Sequence, residues 1–126
     1  MYHVMRGGSR MQLEMLYGKI HRATVTGAEL DYEGSVGISR ELVEAAGFHV
    51  GQKVLVANLS NANRFESYVI LLEKPGQIVM NGAAAHLAKP GDVVIIMSFA
   101  LMSEAEAAAF RPKVVMVDAE NRMAGA

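Results

Sequence analysis

The sequence predicts a mainly β fold: a small closed barrel with two or three short helices. Three observations point there. The chain has 126 residues, the size of one compact domain. It carries six or more short segments rich in β-branched residues, each bounded by Gly, Pro or Asn turn signals. Its helical segments are too few and too short for the alternating strand–helix order of a parallel α/β sheet, whereas short strands in series close into barrels. Hydrophobic residues make up 52% and charged residues 20%, so a core can form without disulfides and a disordered chain is excluded.

The elements follow in order. Residues 1–10 read as a disordered N-terminal extension, because Gly7-Gly8-Ser9 is flexible and Met11 offers a second start. Lys19 to Thr26 alternates and is rich in β-branched residues, hence a strand. Tyr32 to Ile38 reads as another, weakened by Gly34 and Gly37. Ser39 is placed to cap a short helix through Ala46, with Gly47 as its stop. Val54 to Leu59 and Phe65 to Glu73 read as strands on either side of the Ser60–Asn63 turn, and Gln77 to Met80 as a short strand after Lys74-Pro75-Gly76. Asn81-Gly82 suits a hairpin turn, but the alanines that follow prefer a helical turn. Val93 to Phe99 is a buried strand. Ser103 and Glu106 form a capping-box pattern that opens a helix to about Phe110. Lys113 to Asp118 is a last strand, and residues 119–126 read as a flexible tail. The domain therefore spans 11–118.

Charge and composition narrow the function. Lys+Arg is 12 against Asp+Glu 13, without the basic excess that a nucleic-acid surface needs. With 0 Cys there is no disulfide, thiolate nucleophile or cysteine-held metal. His3, His21, His49 and His86 are scattered without ligand spacing, so no metal is expected. No apolar stretch approaches the roughly 20 residues of a membrane span, and MYHVMRGGSR lacks the apolar region of a secretory signal. The expected location is the cytoplasm. A high apolar fraction with only 6% aromatics fits either a dense aliphatic core or a face shared between subunits.

Three segments carry groups with usable chemistry, and each also has a plain structural reading. In Tyr32-Glu33-Gly34-Ser35, glycine permits a strained backbone and a serine hydroxyl can attack the carbonyl before it. Gly-Ser is also an ordinary dipeptide, and Gly8-Ser9 reads as linker. Alternation puts Lys19 and His21 on one strand face, which suits an anionic ligand or simply solvent. Arg64 can clamp a carboxylate and Tyr68 can donate a proton. The small residues from Gly82 to Ala84 let an anion approach backbone N–H groups. A strand edge and a tight turn account for the same residues.

Together these segments resemble the pyruvoyl-dependent aspartate 1-decarboxylases of bacterial pantothenate synthesis. The matching pieces are GKIHRATVT (18–26), L-x-YEGS (30–35), AAG (45–47), N-x-x-N-x-x-RF-x-S-Y (58–68), NGAAAH (81–86), GDVVII (91–96) and RP (111–112). YEGS followed by NGAAAH at this spacing is far more specific than either alone.

The resemblance implies a double-psi β-barrel, a homotetramer with active sites near subunit interfaces, and an inactive proenzyme that cuts itself between Gly34 and Ser35. Ser35 becomes a pyruvoyl group, which forms a Schiff base with L-aspartate; CO2 leaves and β-alanine is released. By the same resemblance Tyr68 is the proton donor and Arg64 binds the substrate carboxylate. Lys19, His21, Ser67, Gly82, Ala83 and Ala84 complete the substrate site. Tyr32, Gly34, Ser67 and Asn81 serve processing. Two positions depart from the family pattern: Ser67 stands where Thr is common, and Ala57 where a large aromatic is common. A non-catalytic barrel that binds a partner, and a hydrolase that keeps Ser35 as an N-terminal nucleophile, are the alternatives.

Overall fold

The computed structural model describes residues 11–124. It has eight strands, two short α-helices and a 3-10 helix. In chain order these are β1 (Leu13–Thr24), β2 (Gly27–Glu29), β3 (Ser35–Ser39), α1 (Arg40–Ala46), β4 (Lys53–Asn58), β5 (Arg64–Leu72), β6 (Ile78–Asn81), the 3-10 helix (Gly82–His86), β7 (Val93–Met102), α2 (Glu104–Ala109) and β8 (Lys113–Met116). The strands form one mixed, barrel-like sheet in the order β2-β6-β3-β5-β4-β7-β1-β8. This is the small, mainly β fold that the turn-punctuated sequence predicts.

The barrel fills with aliphatic side chains, among them Ile20, Ile38, Leu42, Val56, Val69, Met80 and Ile96, all fully buried. β5 joins the two halves of the sheet. Its first part, Arg64 to Tyr68, runs antiparallel to β4, while Val69 to Leu72 runs parallel to β3. Tyr68 therefore stands where β5 changes partners. There the backbone is braced by Gly51 N–H donating to Val69 O at 2.8 Å and Val69 N–H donating to Gln52 O at 3.0 Å.

β1 is longer than Lys19–Thr26. It starts at Leu13 because bulges at 16–18 and 20–23 let it follow β7 around the barrel. Gly18 sits at the first bulge, and a Cβ there would run into the Ala46 carbonyl oxygen at the end of α1. Only glycine lets strand and helix approach so closely. The expected strand from Tyr32 begins at Ser35; residues 30–34 instead form a turn, with Tyr32 N–H donating to Glu29 O.

One end of each helix follows its sequence signal. Gly47 has φ 72° and its N–H donates to Glu44 O, a left-handed C-terminal stop. At α2, Ser103 Oγ accepts from Glu106 N–H at 3.1 Å and Glu106 Oε1 accepts from Ser103 N–H at 2.8 Å. At α1, Ser39 is in place but makes no side-chain cap.

The expected extension, residues 1–10, lies outside the described residues. The segment after β8, expected to be loose, is tied down as far as residue 124. Asn121 is buried, accepting from Thr24 N–H and donating to Thr24 O and Gly76 O, and Val117 bridges to Met123.

Candidate active site

The Gly34–Ser35 bond lies where the chain crosses the end of β6. β2 runs parallel to β6 with Glu29 opposite Asn81, and β3 returns antiparallel with Ser35 opposite the same Asn81. Residues 30–34 connect β2 to β3 over the top of β6. The crossing is tight: a Cβ on Gly82 would lie 2.8 Å from the Gly34 N and Cα and 2.9 Å from Tyr32 O. Gly82 has φ 63°, a conformation that costs other residues energy.

Ser35 is 1% exposed, and its Oγ accepts a hydrogen bond from Asn81 Nδ2 at 3.0 Å. The same hydroxyl makes a long contact, 3.4 Å, to the Glu33 carbonyl oxygen. Tyr32, Gly34, Ser35, Asn81 and Gly82 are thus one contact set. A buried serine with an oriented hydroxyl, beside a glycine pressed onto a second glycine, fits a peptide bond that rearranges and a prosthetic group made from that serine.

Tyr68 lies one residue before the point where β5 begins to pair with β3, at Val69 opposite Val36. Met80, Val36 and Val69 form a fully buried row across β6, β3 and β5. One step along each strand lie Asn81, Ser35 and Tyr68. Because side chains alternate, this second row faces away from the core. Tyr68 is 39% exposed. Ser67 pairs with buried Val54 and points to the other face from Tyr68; its hydroxyl has no hydrogen-bond partner among the described residues.

Arg64 shares the Tyr68 face of β5, since exposure alternates along Arg64, Glu66 and Tyr68. It forms no ion pair among the described residues. Lys19 lies on this outer face too. A row of paired residues runs Glu66, Leu55, Met97, Lys19, Val114 across β5, β4, β7, β1 and β8. His21 pairs with exposed Met116 further along β8, and its Nδ1 is buried without a hydrogen-bond partner among the described residues. In the sheet order β5, β4 and β7 stand between β3, which carries Ser35, and β1, which carries Lys19 and His21. Ala83 is exposed and Ala84 buried in the 3-10 helix that Gly82 opens. Ala57 is almost fully buried opposite Arg64, so an aromatic ring is not needed to close that strand pair.

A polar cluster beside this site is not evident from the sequence. The side-chain amides of Asn58, Asn61 and Asn63 all donate to the Leu87 carbonyl oxygen, at 3.1, 3.1 and 3.2 Å. Asn58 also donates to Asp92 Oδ2 at 2.9 Å, and Lys89 N–H donates to the same oxygen at 3.0 Å. Those two hydrogen bonds, the Asn58 one foremost, hold the Asp92 carboxyl below its ordinary range. Three asparagines in six residues signal turn chemistry; nothing local shows that they converge on a carbonyl more than twenty positions away. Among the described residues, no three His, Asp or Glu side chains converge as a metal site would require, and no helix is long and apolar enough to cross a membrane.

Comparison with known proteins agrees with this geometry. The aspartate decarboxylase family model matches residues 11–124. An aspartate 1-decarboxylase of Corynebacterium efficiens is 54% identical over 110 residues, covering 86% of this chain and 81% of the relative. One from a Hydrogenobaculum species is 52% identical over 113 residues, covering 90% of each chain. One from Neisseria meningitidis is 50% identical over 110 residues, covering 86% of this chain and 87% of its own. A match that spans nearly every described residue, with half or more of the positions identical, leaves one conclusion: the chain belongs to the aspartate decarboxylase family.

Proposed function

We propose that the chain cuts itself between Gly34 and Ser35 and then converts L-aspartate to β-alanine and CO2. The observation that carries the reading is the contact set at the β6 crossing: a buried Ser35 hydroxyl oriented by Asn81, with Gly34 held against Gly82.

The processing chemistry follows from these groups. Ser35 Oγ adds to the Gly34 carbonyl carbon, and the C–N bond breaks. The nitrogen takes up the hydroxyl proton, leaving an ester in place of the amide. The Ser35 α-proton and the Gly34 carboxylate then depart, which separates residues 1–34 from 35–126. Water displaces the nitrogen of the resulting dehydroalanine as ammonia, leaving a pyruvoyl group at residue 35. Asn81 steadies the attacking oxygen. Ser67, whose hydroxyl has no other partner among the described residues, is the proposed donor to the Gly34 carbonyl oxygen. Tyr32 contributes its carbonyl to the crossing over Gly82.

A pyruvoyl carbonyl, once joined to the substrate amine, accepts the electron pair left by a departing α-carboxylate, which no standard side chain does. The chain's other groups bind and protonate. Arg64 holds the side-chain carboxylate that must remain, a task suited to a forked guanidinium. Tyr68, beside Ser35 by register, delivers the proton to the α-carbon. Lys19, His21 and the backbone of Gly82, Ala83 and Ala84 face the two negative charges of the substrate.

Lys19 and His21 stand on β1, four strand steps from β3 in the sheet order, so Lys19 and His21 of a second copy are proposed to complete the site. Half-exposed Phe99, Leu101, Val114 and Met116 on that outer face supply the apolar surface a homotetramer needs. A cytoplasmic location and a place in pantothenate synthesis belong to the same reading.

Incubation of the purified protein with L-aspartate tests it. The reading expects CO2 and β-alanine in equal amounts, and neither from Ser35→Ala. A binding module or an N-terminal serine hydrolase would release no β-alanine.

A further inference from the structure

The Asn58–Asn61–Asn63 cluster lies between two parts of the proposed substrate site. Asn63 immediately precedes Arg64, the first residue of β5. Leu87 immediately follows the 3-10 helix whose first three residues are Gly82, Ala83 and Ala84. Three amide donors from the β4–β5 loop meet on the Leu87 carbonyl oxygen, which ties that loop to the segment that follows the 3-10 helix.

The loop is closed by further bonds. Asn58 Oδ1 accepts from Ser60 N–H and Asn61 Oδ1 from Asn63 N–H, each at 2.9 Å, and Ser60 Oγ accepts from Val93 N–H at 3.0 Å. Ala62, between the two outer asparagines, is held at φ 68°, a conformation a non-glycine residue keeps only where its surroundings over-determine it. Asn58 is 2% exposed and divides its two N–H donors between Leu87 O and Asp92.

We propose that Asn61 and Asn63, anchored through Asn58, are positioning residues. By closing on the Leu87 carbonyl they hold Arg64 at a set distance from the backbone of 82–84, and so determine how well the site accepts a four-carbon dicarboxylate. The inference rests on the reading of Arg64 as the clamp for the side-chain carboxylate. It separates these residues from the self-cleavage, because Gly34, Ser35 and Asn81 are held by their own contacts.

Four forms of the full-length protein test this: the unaltered chain, Asn61→Ala with Asn63→Ala, Arg64→Ala, and all three changes together. Each is examined for pyruvoyl content by intact mass and for CO2 release against L-aspartate concentration. Loss of neutral hydrogen bonds that orient a clamp corresponds to about a tenfold rise in KM. The loop variant is therefore expected to process fully and to show that rise with kcat within about twofold. Adding the loop changes to Arg64→Ala is expected to raise KM no further, because the loop acts through Arg64. If the double loop variant does not fold, Asn61→Ala, which removes one exposed donor, is expected to show a smaller rise of the same kind. A rise for Arg64→Ala with none for the loop variant, or loop and Arg64 effects that multiply, overturns the positioning role. An unchanged KM in Arg64→Ala overturns the assignment of Arg64 itself.

Discussion

Gly82 and Gly34 touch where the chain crosses the end of β6: a Cβ at Gly82 would come within 2.8 Å of both the nitrogen and the Cα of Gly34. The two glycines therefore do different work. Gly34 has room around it, its nearest neighbour to a built Cβ being Asn81 O at 4.0 Å, whereas Gly82 is closed in by backbone. Gly82→Ala must push residues 32–34 off β6 and hold alanine at a positive φ. A shift of that size beside a reacting bond is worth about a hundredfold in rate. The variant is expected to remain mostly uncut after a time in which the unaltered chain processes fully, as read on a denaturing gel.

Tyr68→Phe is expected to separate the two proposed chemistries. Asn81 Nδ2, and not Tyr68, contacts the Ser35 hydroxyl, so cleavage is expected to proceed. The ring is kept, so packing barely changes. Loss of a positioned general acid costs roughly 10²–10⁴-fold, and the variant should form the pyruvoyl group yet make β-alanine at least about a hundred times more slowly. Measuring pyruvoyl content and CO2 release on the same sample checks both halves.

Asp92 ties the polar loop cluster to acidity. Its carboxyl is held below the ordinary range mainly by Asn58, then by the Lys89 N–H. A carboxyl whose folded pKa is lowered contributes its full stabilisation above the unfolded value, about 3.9, and loses it as pH falls through the folded pKa. Melting temperature is expected to fall through this window on acidification, and Asp92→Asn to lose less over the same range while starting from a lower value at neutral pH. Parallel curves for the two proteins would remove Asp92 from the effect.

The parts of this fold that could be read in the chain are those whose physics is local. Ser103 and Glu106 declare the start of α2 because the capping box is closed within four residues, and Gly47 declares the end of α1 because a left-handed stop needs glycine. β2 could not be read. Gly27-Ala28-Glu29 has no β-branched residue, and it is a strand only because it lies beside β6. The row Asn81, Ser35, Tyr68 is invisible without the pairing of β3 to both β6 and β5. Ser35, Arg64 and Tyr68 are legible as chemistry-bearing residues, and motif resemblance joins them into one site; their neighbours in space, including Asn63 and Leu87, depend on contacts that no stretch of sequence spells out.

Ala62 offers a change that removes strain without touching the site. At φ 68° an alanine costs about 1–2 kcal/mol relative to a helical or extended residue, while glycine gives part of that back through the freedom of the unfolded chain. Ala62→Gly is expected to gain about 0.5–1 kcal/mol, read as a rise of a few degrees in melting temperature, with KM for aspartate unchanged because the Asn61 and Asn63 donors remain.

Conversion of Ser35 into a prosthetic group at the new N-terminus of the 35–126 chain is read most plainly from the intact mass of the denatured, purified protein. Two chains are expected, 1–34 and 35–126, with the larger lighter by one ammonia than hydrolysis of the Gly34–Ser35 bond alone would leave it. A single uncut chain after prolonged incubation, or a 35–126 chain that still carries an amine at Ser35, would contradict it.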